Sequence, residues 1–496
     1  MASTQDLADA RQSAAVVLCS DAVPLVPMAT VTDVLQRDAP GVPVVEVVDL
    51  CRPFSGFARA LEQLQPSRAV VACASARPRR DRILEALRAS GVHPTGAQLV
   101  ELVPVPSARA GDMAGHALAR LRAALARVNG ADLTVPARER AAPLRSNRMS
   151  RRDLLRLGRL PRRPVAAWAP ERCRGHGPSR PCGLACPKGA LSLGGGAINV
   201  DEAACTGCGA CVAACRSGAI SLCGASLSGL EAAARLLVEE AGKLGAGVEI
   251  RCQFAEGGTP LGGQWLPLEV PSMDMVSAGW VFQLLAFGAP VRLTGCADGD
   301  CAARARELAR FAGEAVGAVA AGGPRRRRPA RLTLREPEAT VEALSGLASV
   351  GAGPWRLVSS VAPMGEVGLE ASSCSLCGTC ALACPAGALR LAEAEEARGG
   401  VRSLLFDASR CAACGTCLKS CPEGAISLAR AVTPLSLGGG PKTLTSARQP
   451  RCSSCGALLN SGPPVGPLLA RLAVTHPEVA RRLQSEQCPD CLLVGS

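Results

Sequence analysis

Short runs of consecutive apolar residues alternate with stretches of helical periodicity along the first hundred residues. Residues 14–18, 44–50, 69–72 and 98–103 predict strands, and residues 31–37, 57–64 and 81–89 predict helices. Strands that are apolar throughout, rather than at alternate positions, imply a parallel sheet covered on both faces. A further helix is expected over 112–128. The same alternation returns later, with helices over 227–244, 273–287 and 301–319 and strands over 248–252, 266–270 and 291–295. The apolar run 275–291 is short for a membrane span and carries Gln283, Gly288 and Pro290, so it reads as a buried helix.

These patterns divide the chain into an α/β module (1–130), a basic Arg- and Pro-rich linker (131–170), a cysteine-rich segment (171–223), a second α/β module (224–350), a second cysteine-rich segment (365–430) and a cysteine-bearing tail (445–496). The expected fold class is therefore multidomain, combining α+β and α/β parts. Within 171–223 and 365–430 one motif occurs four times: Cys186-Pro-Lys-Gly-Ala-Leu, Cys215-Arg-Ser-Gly-Ala-Ile, Cys384-Pro-Ala-Gly-Ala-Leu and Cys421-Pro-Glu-Gly-Ala-Ile. Glycine permits a tight turn after each cysteine, and the apolar pair opens a short strand.

The strongest chemical signal is Cys374-x2-Cys377-x2-Cys380-x3-Cys384-Pro, repeated as Cys411-x2-Cys414-x2-Cys417-x3-Cys421-Pro. It resembles a bacterial-type two-cluster ferredoxin, in which the fourth cysteine of each run ligates the other cluster. The resemblance implies two [4Fe–4S] sites, Cys374, Cys377, Cys380 with Cys421, and Cys411, Cys414, Cys417 with Cys384. A second such unit has one intact run, Cys205-x2-Cys208-x2-Cys211-x3-Cys215, and Cys186-Pro completes a third four-cysteine set with Cys205, Cys208 and Cys211. Its other half, Cys173-x8-Cys182-x3-Cys186, lacks one cysteine and is similar to the seven-iron ferredoxins. Cys173, Cys182 and Cys215 would hold a [3Fe–4S] cluster there, or a [4Fe–4S] cluster with His176 as the fourth ligand. Arg216 stands where proline is usual and would favour the reduced form of a neighbouring cluster.

Three cysteines, Cys19, Cys51 and Cys73, end three different predicted strands, the edge where open α/β sheets bind ligands. Buried cysteine is also an ordinary small apolar residue. Asp49-Leu50-Cys51, the run from Ala69 to Ser75 and Ser90-Gly-Val-His-Pro94 resemble the N-terminal domain of the flavin-carrying subunit of heterodisulfide reductase, which implies a cluster at these cysteines. No GxGxxG follows a predicted strand, so no flavin is expected. The run through Arg163-Pro164 and Trp168 looks like the lead-in of the ferredoxin-type accessory protein of periplasmic nitrate reductase. Ser150-Arg-Arg-Asp-Leu-Leu155 has the form of a twin-arginine export motif but is internal and precedes no apolar segment.

In the second α/β module, the segment from Val276 to Gly295-Cys296-x4-Cys301 resembles the delta subunit of methyl-viologen-reducing hydrogenase. That resemblance implies a [2Fe–2S] cluster on Cys252, Cys296 and Cys301, with Pro271-Ser272 where another family cysteine is expected. Cys301 opens a predicted helix, whose dipole would lower a thiol pKa. The tail carries Cys452-x2-Cys455 and Cys488-x2-Cys491 across a helical insert expected over 468–483. This is the spacing of zinc-ribbon knuckles, with a rubredoxin-like iron as the alternative.

Composition supports metal ligation over disulfides. Twenty-six cysteines in 496 residues, in repeated CxxC spacings and without a signal peptide, belong to a reducing compartment, so a cytoplasmic location is expected. The formal charge of +13 overstates basicity. Each four-thiolate cluster or zinc carries roughly −2, so four clusters and one zinc would remove about ten units. That weakens a nucleic-acid reading, and Arg325 to Arg328 read as a solvated linker. The chain is expected to relay single electrons between a dehydrogenase or hydrogenase and a reductase, without catalysis of its own, nucleic acid or a membrane span. Two alternatives stay open: a redox enzyme acting on a thiol, disulfide or substrate at Cys296 and Cys301, and a zinc-dependent nucleic-acid or assembly factor.

Overall fold

Four parallel strands form the first sheet: β1 (Ala14–Cys19), β2 (Val44–Val47), β3 (Arg68–Cys73) and β4 (Ala97–Glu101), in the order β2-β1-β3-β4. Every residue of β1 is buried, which is why its sequence shows no alternation. Val16, Leu18, Val70 and Ala72 face helices α1 (Met28–Asp38) and α4 (Ala110–Asn129). Val17, Cys19, Val71 and Cys73 face α2 (Ser55–Leu64) and α3 (Arg80–Ala89) through Phe57, Leu61, Ile83 and Leu87.

The computed structural model describes residues 14–19, 26–48, 55–74, 80–104, 108–134, 138–141, 162–173, 181–194, 196–215, 217–297, 299–320, 331–336, 338–347, 355–396, 399–449, 451–457, 473–478, 480, 487–488 and 490–491. It is a mixed α/β protein with several small sheets, in two compact units. One unit is Met1–Arg174 with Ala185–Val350, and the other is Gly175–Leu184 with Gly351–Ser496.

Within the first unit a second parallel sheet has β5 (Gly247–Cys252) between β6 (Trp265–Val270) and β7 (Val291–Thr294). Its helices are α5 (Leu227–Leu244), α6 (Ala278–Ala286), α7 (Gly299–Ala320) and α8 (Glu338–Leu347). The Ser226 hydroxyl accepts the N–H of Gly229 and starts α5 where its apolar periodicity begins. α4 and α5 approach so closely that a β-carbon on Gly130 would lie 3.1 Å from the Gly229 Cα. The two sheets thus share one unit through their helices.

The helix expected over 273–287 is split. A 3₁₀ turn, Met273–Met275, is followed by extended Val276 and Ser277 before α6 starts. The Ser272 side chain accepts the Asp274 N–H at 3.2 Å and caps the start of the turn, and the Val276 N–H bonds to the Met273 carbonyl at its end. Nearly all of α6 is buried, and its side-chain donors are paired: Gln283 Nε2 donates to the Ala339 carbonyl at 2.9 Å, and Trp280 Nε1 to that of Leu334 at 2.7 Å. Among the described residues no helix is long and apolar enough to cross a membrane.

The stretch read as a linker contains strands. Arg138–Ala141 pairs with Arg162–Val165, and Ala167–Trp168 pairs with Ile220–Ser221, so the first ferredoxin-like segment begins before residue 171. The arginines and prolines of this stretch hide its strand character from periodicity.

The second unit is antiparallel. β12 (Ile426–Val432) lies between β8 (Leu357–Val358) and β9 (Gly365–Leu369). β11 (Gly399–Phe406) lies between β10 (Leu389–Glu396) and β13 (Lys442–Gln449). Val367, Leu376, Leu389, Leu404, Phe406 and Ile426 make its core together with Cys380, Cys411 and Cys417.

Candidate metal centres

In the second unit each cysteine run follows the same path. A loop holds the first two cysteines, a short helix (Thr379–Ala383 or Thr416–Ser420) carries the third, and the fourth leads into a strand. The loops turn through left-handed residues, Leu376 and Ala413, both at φ 49°. This backbone curl sends the Leu376 N–H to the Cys374 sulfur and the Ala413 N–H to that of Cys411. A left-handed non-glycine residue costs about 1–2 kcal/mol. Burying the Leu376 side chain, 2% exposed, recovers about 1.5–3 kcal/mol, so the turn stands without glycine.

Cys374, Cys377, Cys380 and Cys421 line one apolar cavity with Leu369, Leu391 and Ile426. Cys384 lies among Cys411, Cys414 and Cys417, close enough that its charge acts on Cys411 and Cys417. Burial pushes the Cys380 thiol up to about 12, and the neighbouring thiols of Cys374, Cys377 and Cys421 add to the shift. Burial likewise raises Cys411 to about 12 and Cys417 to about 11. Such crowded sulfurs accept negative charge readily only around a cation, and four of them about one cavity fit the donor set of a cluster. Cys377 differs. Against the cost of burial, hydrogen bonds from the Thr379 hydroxyl and N–H hold its thiol below the usual range, and it is exposed.

The first unit repeats this arrangement once. Cys186, Cys205, Cys208 and Cys211 line a cavity with Ala166, Leu191, Val200 and Leu222. Gly207, at φ 68°, replaces Leu376 and Ala413 here, because a β-carbon would run into the Pro164 carbonyl oxygen. Three of the four Cys-x-x-Gly-Ala motifs show a common purpose. In each, the left-handed glycine returns the alanine N–H to the cysteine sulfur, at 3.2 Å for Ala190 to Cys186, Ala219 to Cys215 and Ala388 to Cys384.

The degenerate half is only partly visible. Cys173 follows the 3₁₀ turn Pro170–Arg172, and Cys215 accepts from Ala219, both in the first unit. Cys182 sits in the short helix Pro181–Leu184 of the second unit. His176 and Arg216 lie outside the described residues, as does the run Arg325 to Arg328.

The sulfurs of Cys252, Cys296 and Cys301 all lie within 4.8 Å of one another. Cys252 ends β5, Cys296 follows β7 and Cys301 is in the first turn of α7. A β-carbon on Gly295 would come 2.6 Å from the Cys301 carbonyl oxygen, so that glycine lets the loop lie against the helix. The Cys252 thiol is hydrogen-bonded to Cys301, which raises the former and lowers the latter. N–H groups of Met273 and Cys296 also stabilise a Cys301 thiolate against the cost of burial.

Cys452, Cys455, Cys488 and Cys491 also converge within 4.8 Å, although the helical insert between them is described only at 473–478 and 480. Hydrogen bonds from the N–H groups of Cys455 and Cys488 draw the Cys452 thiol down to about 6, while bonding to Cys488 and Cys455 pushes Cys491 up to about 12. Cys19 and Cys73 follow the paired residues Leu18 and Ala72, and both sit in the apolar layer under α2 and α3. Cys51 lies outside the described residues. Sequence reasoning passed over Cys223, a half-buried thiol that donates to the Arg138 carbonyl at 3.6 Å. It also passed over the Met273–Met275 turn, hidden inside an apolar run.

Residues 373–425 match the family of 4Fe-4S dicluster domains, and residues 198–221 match the family of 4Fe-4S binding domains. No curated protein is significantly similar to the chain. The chain therefore carries 4Fe-4S ferredoxin-type domains at both cysteine-rich segments, and these suggest a role in iron–sulfur electron transfer.

Proposed function

We propose that this chain is an iron–sulfur electron carrier that relays single electrons between a dehydrogenase or hydrogenase and a reductase. The observation that carries this reading is a pair of cavities, one in each unit, each lined by three cysteines of a Cys-x2-Cys-x2-Cys loop and a fourth, remote cysteine. A [4Fe–4S] cluster, when bound, supplies a one-electron couple whose potential depends on charge, sulfur hydrogen bonds and exposure. Cys374, Cys377, Cys380 and Cys421 would hold one, Cys411, Cys414, Cys417 and Cys384 a second, and Cys186, Cys205, Cys208 and Cys211 a third.

Cys380 and Cys417 sit on two short helices that pack together, and the charge of Cys417 acts on Cys380. On this reading the two sites of the second unit stand side by side. Leu382, 91% exposed, projects from the helix that carries Cys380, and Leu418 is exposed on the other. Exposed apolar residues on the two cysteine-bearing helices suit a transient redox partner. Cys452, Cys455, Cys488 and Cys491 are the proposed ligands of a structural zinc.

Anaerobic purification followed by iron, labile-sulfide and zinc analysis, with EPR before and after dithionite, tests this. About 12 irons per chain are expected from the three complete sites. Protein without acid-labile sulfide overturns the reading and leaves the zinc-bearing assembly factor.

A further inference from the structure

We propose that Cys252, Cys296 and Cys301 hold one thiophilic divalent cation, Zn²⁺ or Fe²⁺, with its fourth position open, and not a two-iron cluster. Size is the first reason. Four thiolates around one ion at about 2.3 Å stand roughly 3.8 Å apart. The three sulfurs lie within 4.8 Å of one another, as do those of the Cys452 quartet. Among the described residues only these two groups draw so close, whereas the cysteines around the cluster cavities stand further apart. The molecule thus builds two kinds of sulfur cage, and this trio has the smaller dimension.

Ligand count agrees. A two-iron cluster takes two protein ligands at each iron. Three sulfurs gathered about one point serve one ion and leave a second iron unheld. Next along the chain from β6 the Pro271 carbonyl oxygen lies 3.5 Å from the Cys252 sulfur, and the Ser272 hydroxyl is engaged with Asp274, so neither residue adds a thiolate. The three sulfurs arrive from a strand end, a loop and a helix, and Gly295 permits the close approach that joins the last two.

The site also adjoins the Cys205–Cys211 loop. The Met273 N–H is bonded to the Cys301 sulfur, and two residues later Met275 lies against Gly209. One 3₁₀ turn therefore separates the trio from the third cluster site, and an ion on the trio would be sensed there.

The test compares full-length wild type with Cys296→Ser and with the Cys252→Ser/Cys296→Ser/Cys301→Ser variant, all purified anaerobically. Metal content is measured by elemental analysis, together with labile sulfide and sulfur-ligand counts from Zn and Fe K-edge absorption. The expected result is loss of one Zn²⁺ or one Fe²⁺ per chain, unchanged labile sulfide, and a shifted EPR signal from the neighbouring cluster. Loss of two irons with two sulfides overturns the proposal in favour of the two-iron cluster, and unchanged metal overturns it outright. Cys296 is half-buried in a loop, so the single variant keeps the comparison valid if the triple variant fails to fold. This ion site is independent of the electron-transfer reading. A wild type without labile sulfide defeats that reading but leaves the one-ion difference measurable.

Discussion

Met275 lies against Gly209, such that a β-carbon on the glycine would stand 2.8 Å from the Met275 Sδ. Gly209 is also left-handed, at φ 83°, and opens the short helix that carries Cys211. Two independent constraints meet at one atom position. Gly209→Ala should destabilise the first unit by about 1–2 kcal/mol from backbone strain alone. It should also move the Met273–Met275 turn. EPR should show a changed signal from the Cys186/Cys205/Cys208/Cys211 site and unchanged signals from the second unit.

The proposed crossed ligation distinguishes two otherwise similar cysteines. Cys421→Ser should damage the site of Cys374, Cys377 and Cys380, although Cys421 lies in the other run. Cys384→Ser should damage the site of Cys411, Cys414 and Cys417. Each change should convert or remove one cluster signal of two. Local ligation would instead reverse which signal each variant loses.

The two sites of the second unit differ in charge. Glu423 acts on Cys374, while the Arg430 guanidinium acts on Cys414 and Cys411 and donates to the Ala362 carbonyl at 3.0 Å. Negative charge disfavours the added electron and positive charge favours it. The Arg430-flanked site should therefore have the higher potential. Arg430→Gln should lower that potential and Glu423→Gln should raise the other, each by tens of millivolts, where about 59 mV is tenfold for one electron. Redox-poised EPR titration measures both.

The Cys452 quartet makes a prediction about zinc. Cys455→Ser should remove one zinc per chain without loss of labile sulfide. Proteolysis should then cut faster within 445–496 and no faster within 365–430, because so small a segment depends on bound metal to fold.

His116, 3% exposed on α4, ties stability to pH. Burial, then the charge of Arg120, lowers its pKa to about 4. The unfolded chain takes up this proton near pH 6.5, and the folded chain resists it until about 4. Stability from this group is therefore complete above 6.5 and falls as pH drops through the window from 6.5 to 4. The loss should reach about 2 kcal/mol at pH 5. His116→Gln should flatten the slope of melting temperature between pH 7 and pH 5.

Elements with long periodic or uniformly apolar patterns were legible from the chain alone. The helix over 227–244 has the predicted bounds, and β1 and β3 each differ by a residue or two. The turn at Met273–Met275 was not legible. The Ser272 hydroxyl caps the start of that turn, and apolar periodicity carries no trace of such a bond. The strand pairs at 138–141 and 162–168 were hidden likewise, since their partners rather than their composition make them strands.

Ligand spacing within a loop is a local property, because three cysteines two residues apart share one curl of backbone. The sequence by itself therefore determined the ferredoxin-type runs and the CxxC knuckles. Only the tertiary structure decided how closely remote sulfurs meet. The strand end at Cys252, the loop at Cys296 and the helix start at Cys301 are brought together by parallel pairing of β5 with β7 and by the missing side chain of Gly295. Distances between segments far apart in the chain follow from packing, which local pattern does not encode.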